Sequence, residues 1–230
     1  MARKKKADLR FDYAYMAETI TRLGLSAGYS IAELKALLPR LGAEVKQYGK
    51  NELAVGQGDP AVWFGVVVEG NLQATIRSSD GERHLMRAVR PGEYVGLSLL
   101  YKPHATYPCD VFAFPSCTAI ALKTEAVLAW RQDPASAPFF DMVAQQLSRA
   151  LMVAWQKAAV VGRQKIEDRV MMYLQIRQAE DGTNEIRMPG SGDDFANYLD
   201  CNRSALSRVL SRLKEEGRIL YTRSKITLVK

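Results

Sequence analysis

Asp193-Asp194-Phe195-Ala196-Asn197-Tyr198-Leu199-Asp200-Cys201-Asn202-Arg203-Ser204-Ala205-Leu206-Ser207-Arg208-Val209-Leu210-Ser211-Arg212-Leu213-Lys214-Glu215-Glu216-Gly217, near the C-terminus, is the stretch that decides the fold. It begins as a short helix, Asp193–Leu199, with Phe195, Ala196 and Leu199 turned inward. Asp200-Cys201-Asn202 reads as a tight turn, and Asn202 has the side chain to cap a second helix. In that helix Leu206, Val209, Leu210 and Leu213 recur at i, i+3, i+4 and i+7, the spacing of one buried stripe. The opposite face carries Arg203, Ser204, Ser207, Arg208 and Arg212 and no carboxylate before Glu215. A face that is merely solvated more often mixes Glu with Lys. Gly217 ends the helix, and Ile219–Tyr221, Thr222–Ser224 and Lys225–Val229 follow as a small hairpin. The pattern is a winged helix-turn-helix. Its second helix has the size that fits a DNA major groove, and its exposed side chains are those that reach base edges and phosphates.

Working upstream, Glu185–Met188 reads as a short strand and Lys165–Ala179 as a helix with Ile166, Val170, Tyr173 and Leu174 on one face, ended by Asp181-Gly182. Before a break near Gly162, Phe140, Ala144, Leu147, Leu151, Ala154, Ala158 and Val161 follow alternating steps of four and three. That is a heptad seam. A helix packed on its own β-domain would give the same periodicity. The alanines favour a second copy of the chain, because they let two helices approach closely. The dimer seam expected is Leu147, Leu151, Ala154, Ala158 and Val161.

From Ala43 to about Thr124 short β-prone pieces alternate with turns: Val45–Tyr48, Glu52–Val55, Trp63–Val68, Leu72–Arg77 and Arg83–Val89, separated by Gly49-Lys50-Asn51, Gly56–Pro60, Glu69-Gly70-Asn71, Ser78–Gly81 and Pro91-Gly92. Turn signals every 8–12 residues suggest a sandwich or barrel-like unit. Residues 11–42 read as short helices, one of them capped by Ser30 and ended by Pro39 and Gly42. Residues 1–10 carry Arg3, Lys4, Lys5, Lys6 and Arg10, a solvated terminus or a basic arm for nucleic acid.

Composition agrees with a globular chain: 230 residues, 47% hydrophobic and 25% charged, with 32 basic against 25 acidic side chains, a net +7. That balance permits a polyanionic partner. No apolar run approaches the ~18 residues of a membrane span, and no apolar stretch follows MARKKKADLR as a secretory signal requires. Three scattered cysteines, Cys109, Cys117 and Cys201, point to a reducing cytoplasm. No cofactor is expected.

The chain resembles the Crp/Fnr superfamily of bacterial transcription regulators over nearly its whole length. The resemblance rests on Lys50-Asn51-Glu52-Leu53, Gly58-Asp59-Pro60, Glu69-Gly70, Pro91-Gly92-Glu93 with Gly96, the long helix, and most specifically Asn202-Arg203-Ser204-Ala205-Leu206-Ser207-Arg208. It implies an α+β protein in three parts: an effector-sensing β-roll with N-terminal helices (1–136), a dimerisation helix and hinge (137–162), and a winged helix-turn-helix (163–230). It also implies a homodimer on a pseudo-palindromic operator in double-stranded DNA, with a contact to RNA polymerase and no membrane. DNA contacts fall on Asn202, Arg203, Ser204, Ser207, Arg208 and Arg212, with Arg208 in the place of the family's guanine-reading arginine.

The departures bear on the effector. Leu97 follows Gly96 where cyclic-nucleotide binders carry glutamate, and Tyr107-Pro108 stands near their phosphate-holding Arg-Ser. Ala150 and Leu151 take the place of their purine-contacting Thr-Ser. A buried phosphate without a guanidinium is poorly compensated, so cyclic AMP is not expected. The first cysteine is Cys109, which leaves no N-terminal cluster for iron–sulfur. An unknown small-molecule or redox signal is expected instead, in a pocket drawn from Tyr94, Leu97, Leu99, Tyr107, Cys109, Ala150, Ala154 and Trp155. The alternatives are a filled roll core without ligand, a haem held by His84, His104, Cys109 or a methionine, and a Cys109–Cys117 redox pair as against buried structural thiols. Two other functions stay open: a ligand-binding module acting on a protein partner, and a metal-dependent cupin-like enzyme. Two histidines without His-x-His spacing speak against the enzyme.

Overall fold

The described residues of segment 43–124 form mainly antiparallel strands, the class its turn signals predict. The computed structural model describes residues 12–77, 83–188, 191–222 and 225–229. The basic stretch 3–10, the Ser78–Gly81 turn and Arg223-Ser224 of the hairpin lie outside them. The chain divides into two units, Met1–Leu147 and Ser148–Lys230.

The first unit opens with helices α1 (Tyr13–Arg22) and α2 (Ile31–Arg40). Asp12 caps α1 by accepting from the Tyr15 amide at 2.9 Å. Ser30 and Glu33 form a reciprocal capping box at the start of α2, which fixes the expected boundary. The strands are β1 (Glu44–Tyr48), β2 (Leu53–Val55), β3 (Trp63–Arg77), β4 (Arg83–Val89), β5 (Tyr94–Val95) and β6 (Asp110–Lys123). They pair in the order β1-β6-β3-β4, with β2 on β6 and β5 on β3. Helix α3 (Thr124–Trp130) follows.

One expectation is corrected here. Glu69-Gly70-Asn71 does not turn the chain, and the pieces on either side of it are one strand, β3. Gly70 sits at φ +69°, and a Cβ there would lie 1.9 Å from the Ser116 carbonyl oxygen. The glycine serves a bulge at which the β3–β6 register shifts on both sides, and the strand continues through it.

Alternation along β3 sorts its side chains to two faces. Val67 and Leu72 join Val89, Val95, Val111, Ala113 and Ala119 in one apolar cluster. Val66 and Val68 join Ile120 on the other face, under Met16, Ile20, Leu34 and Leu38 of α1 and α2.

Helix α4 (Ala137–Val161) crosses the boundary between the units. In the first unit Phe139 and Val143 are buried against Phe64, Leu97, Val127 and Trp130, and Phe140 and Leu147 pack partly against the same cluster. The predicted heptad stripe is therefore not open along its whole length: Phe140 and Leu147 are drawn onto the roll, while Ala144 between them is exposed. Beyond them Leu151, Ala154 and Ala158 are exposed, with Leu151 at 54% and the neighbouring Trp155 at 63%.

The second unit contains α5 (Ile166–Asp181), β7 (Glu185–Arg187), α6 (Gly192–Tyr198), α7 (Arg203–Glu215), β8 (Ile219–Tyr221) and β9 (Lys225–Leu228). Its three strands pair as β7-β9-β8. Val170 and Leu174 of α5, Phe195 and Leu199, Leu206 and Leu213 of α7, and Ile186, Ile219 and Ile226 of the sheet form one fully buried core. Each of these large side chains contributes about 1.5–3 kcal/mol by leaving water.

Candidate nucleic-acid interface

Three local devices hold α7. The first is its start: Asn202 Oδ1 accepts from the Ala205 amide at 2.7 Å and from Ser204 Oγ at 2.9 Å. The second is the preceding turn, where Asp200 adopts φ +52°, a left-handed conformation that Asp tolerates, and the Cys201 amide donates to the Ala196 carbonyl at 3.0 Å. The third is Arg169 on α5. Its Nη1 donates to the carbonyls of Leu199 at 3.0 Å and Asp200 at 2.8 Å, and its Nε to that of Arg163 at 2.7 Å. One guanidinium thus ties the residue just past α4 to the turn that aims α7. Arg169 was not legible beforehand, since no spacing distinguishes it from a solvated arginine. Helix α6 starts with its own capping box, Ser191 with Asp194, and Gly192 becomes its first residue. A Cβ at Gly192 would come within 2.5 Å of the Arg203 guanidinium, the far end of a flexible, exposed side chain that can move aside.

The two faces of α7 fall as predicted. Leu206, Leu210 and Leu213 are buried, and Val209 is half-buried. Arg203, Ser204, Ser207 and Arg208 stand together in solvent on the other side, with Asn202 at their N-terminal edge. Arg208 makes no ion pair among the described residues, so its planar donor fork is free for a ligand. Ser204 directs its proton to Asn202 and therefore turns lone pairs outward. Arg212 is exposed but engaged: it pairs with Glu167 and lies 3.8 Å from Glu216, while Arg218 pairs with the same two carboxylates. These arginines, Arg218 first by its hydrogen bond, hold the Glu167 carboxyl below its ordinary range. Burial pushes the Cys201 thiol up, against a smaller opposing effect of Arg169.

Within the first unit, the residues expected to line an effector pocket divide between two apolar layers. Tyr107 is buried, donates its hydroxyl to the Trp63 carbonyl at 2.7 Å, and lies where a Cβ on Gly96 would be 2.7 Å from that hydroxyl. Gly96 itself is left-handed, at φ +77°. The tyrosine ring thus fills the roll beside Gly96. Leu99 and Cys109 pack partly against the same cluster. Leu97 and Tyr94 go to the opposite layer, among the residues that meet the helices. The split follows from the short 3-10 turn Leu97–Leu99, which swings Leu97 away from the roll interior. Ala150, Ala154 and Trp155 lie on the exposed stretch of α4 in the second unit. Cys117 is buried, and desolvation raises its thiol to about 11; Cys109, half-buried, is raised for the same reason. Among the described residues no helix is long and apolar enough to cross a membrane.

Residues 45–133 match the cyclic nucleotide-binding domain family, and residues 168–230 match the Crp-like helix-turn-helix domain family. The nitrogen fixation regulation protein FixK of Rhizobium meliloti is 28% identical over 121 residues, which cover 49% of this chain and 56% of FixK. The transcriptional regulatory protein btr of Bordetella pertussis is 26% identical over 177 residues, covering 70% and 66%. The chain thus spans about half to two thirds of these two relatives. The solved structure of the c-di-GMP responsive global regulator CLP of Xanthomonas campestris, 20% identical, covers 85% of this chain and 99% of its own with a TM-score of 0.57, a likeness of fold.

Proposed function

The chain belongs to the Crp/Fnr family of DNA-binding transcription regulators, and from that premise we propose that it acts as a homodimer reading a pseudo-palindromic operator through α7. The observation that carries the reading is the exposed row Arg203, Ser204, Ser207 and Arg208 over a sealed apolar face. Two copies of such a helix, set about 34 Å apart, enter successive major grooves. Arg208 donates both arms of its fork to guanine O6 and N7, a contact with roughly 1–3 kcal/mol of discrimination. Ser204, with its proton committed to Asn202, accepts from an exocyclic amine. Arg203 serves a phosphate or a base edge. Arg212 reaches phosphate on exchanging Glu167 for it.

Exposed Leu151, Ala154 and Ala158 supply the dimer seam, helped by Trp155 one turn beyond Leu151. The break after Val161 gives a hinge. On this reading the protein works in the cytoplasm, catalyses no reaction, contacts RNA polymerase at its promoters and answers a small-molecule signal other than cyclic AMP. Tyr107 occupies the roll beside Gly96, and no arginine stands at the expected phosphate position. Native mass spectrometry of the full chain, alone and with operator DNA selected from a random pool, tests the proposal. Two chains per duplex are expected. A monomer at micromolar concentration, or a pool that yields no enriched sequence, overturns it.

A further inference from the structure

We infer that the cavity between α1, α2 and the outer face of the sheet is a binding site for a compact apolar molecule, no larger than a single ring, that carries one hydrogen-bond acceptor. The cavity measures about 40 Å³ and lies wholly within the first unit. Ile20 and Leu38 of the helices, Val66 and Ile120 of the sheet, and Met142 of α4 line it together with Tyr94. Tyr94, Val66 and Ile120 stand in one row across β5, β3 and β6, which turns all three to the same side.

Two observations separate this space from an ordinary packing gap. The first is the Tyr94 hydroxyl. It donates to the Met142 sulfur at 3.8 Å, and a thioether is a weak acceptor. Burial raises this phenol to about 12, so it remains a donor at any physiological pH. A carbonyl or ether oxygen entering the cavity would replace a poor partner by a good one. The rest of the wall is nearly all apolar, and water needs two to four polar partners to stay in such a place. The second observation is the rim. Ser26 and Ala27 border the cavity, in a connection that holds Gly24, Ala27 and Gly28 at φ +71°, +51° and +84°. Ala27 adopts a conformation that side chains with a Cβ disfavour. A space of about 40 Å³ is smaller than the ~150 Å³ cavity that holds benzene, so occupation by a ring requires this connection to move outward.

The site is separate from the roll interior that Tyr107 fills. Because Phe139 and Met142 of α4 also line it, an occupant presses on the first turns of the helix whose exposed portion carries the seam. That consequence for DNA binding rests on the regulator reading above; binding itself does not.

The test uses the full chain with two probes of similar size: cyclopentanone, which has an acceptor, and methylcyclopentane, which has none. Saturation-transfer NMR and thermal denaturation read binding without DNA. Cyclopentanone is expected to bind saturably and at least fivefold more tightly than methylcyclopentane. Tyr94→Phe, which keeps the ring, should bring the two probes to equal affinity. Val66→Ile, which adds one methylene to the wall, should weaken both by more than tenfold and raise the melting temperature. The inference is overturned if cyclopentanone shows no saturable binding to the wild type, or if neither variant changes the affinities. Operator titration with and without cyclopentanone then reads the regulatory clause by itself: a shift of threefold or more supports it, and an unchanged affinity with saturated probe removes it.

Discussion

Tyr107→Phe deletes one oxygen and tests how the roll is closed. In the wild type that oxygen donates at 2.7 Å to the Trp63 carbonyl, inside a cluster in which Tyr107 is only 3% exposed. Losing a hydrogen bond of this kind costs about 0.5–1.5 kcal/mol, and more where the stranded carbonyl stays dry, so we expect a loss of about 1–2 kcal/mol. With a urea slope of ~2 kcal/mol/M, the midpoint of the roll should fall by about 0.5–1 M. Tyr107→Ala also removes the ring from beside Gly96 and should cost about 3–5 kcal/mol. Circular dichroism gives the midpoints, and hydrogen exchange of β3 peptides shows whether the loss is local. Neither variant should acquire cyclic AMP binding, since emptying the space adds no guanidinium. An unchanged midpoint in Tyr107→Phe, together with less than about 1 kcal/mol lost in Tyr107→Ala, would refute the claim that this side chain fills the roll.

Three further outcomes follow from the second unit and the seam. Leu206→Ala empties a fully buried position under α7 and should cost about 2–5 kcal/mol, abolishing operator binding while β3–β6 exchange stays slow. Glu167→Gln releases Arg212 and Arg218, so the salt dependence of DNA binding should steepen by about one phosphate's worth. The same carboxyl is held below its ordinary value of 4.5 in the folded state; its contribution to stability is therefore complete above about pH 4.5 and lost as pH falls through the lowered value, and Glu167→Gln should match the wild type at the acid end of that range in a pH-dependent melting series. Leu151→Arg sets like charges across an apolar seam and should shift sedimentation from dimer to monomer, with little change in the melting of either unit.

The C-terminal helices were legible because three independent signals agreed there: a 3.6-residue apolar stripe ending at Leu213, a capping asparagine at 202, and a polar face without carboxylates. Ser30 marked its helix equally well, and its capping box is in place. The strands were harder. Gly70 has the composition of a turn, and only the Ser116 backbone pressed against it makes it a bulge, a contact that no local pattern reports. Strand β6 was not singled out, because Phe114-Pro115-Ser116 interrupts its alternation. The pairing of Arg212 and Arg218 with Glu167 joins residues more than forty positions apart. The departure of Tyr107-Pro108 from the family pattern was visible in the sequence. That Tyr107 turns inward against Gly96 depended on β3 supplying the Trp63 carbonyl as its acceptor. The family resemblance grouped Leu97 and Tyr94 with Tyr107, whereas a 3-10 turn and strand alternation send them to another layer.

The central claim is that α7 reads bases through its exposed arginine and serine row, and a randomised-operator selection at fixed salt, run with wild type and Arg208→Ala, tests it most directly. The wild type should enrich a pseudo-palindrome. Arg208→Ala should lose preference at one base pair in each half-site, by roughly 1–3 kcal/mol per contact, and keep it elsewhere. If the variant retains the wild-type preference at every position, Arg208 does not read a base and the assigned face of α7 is wrong.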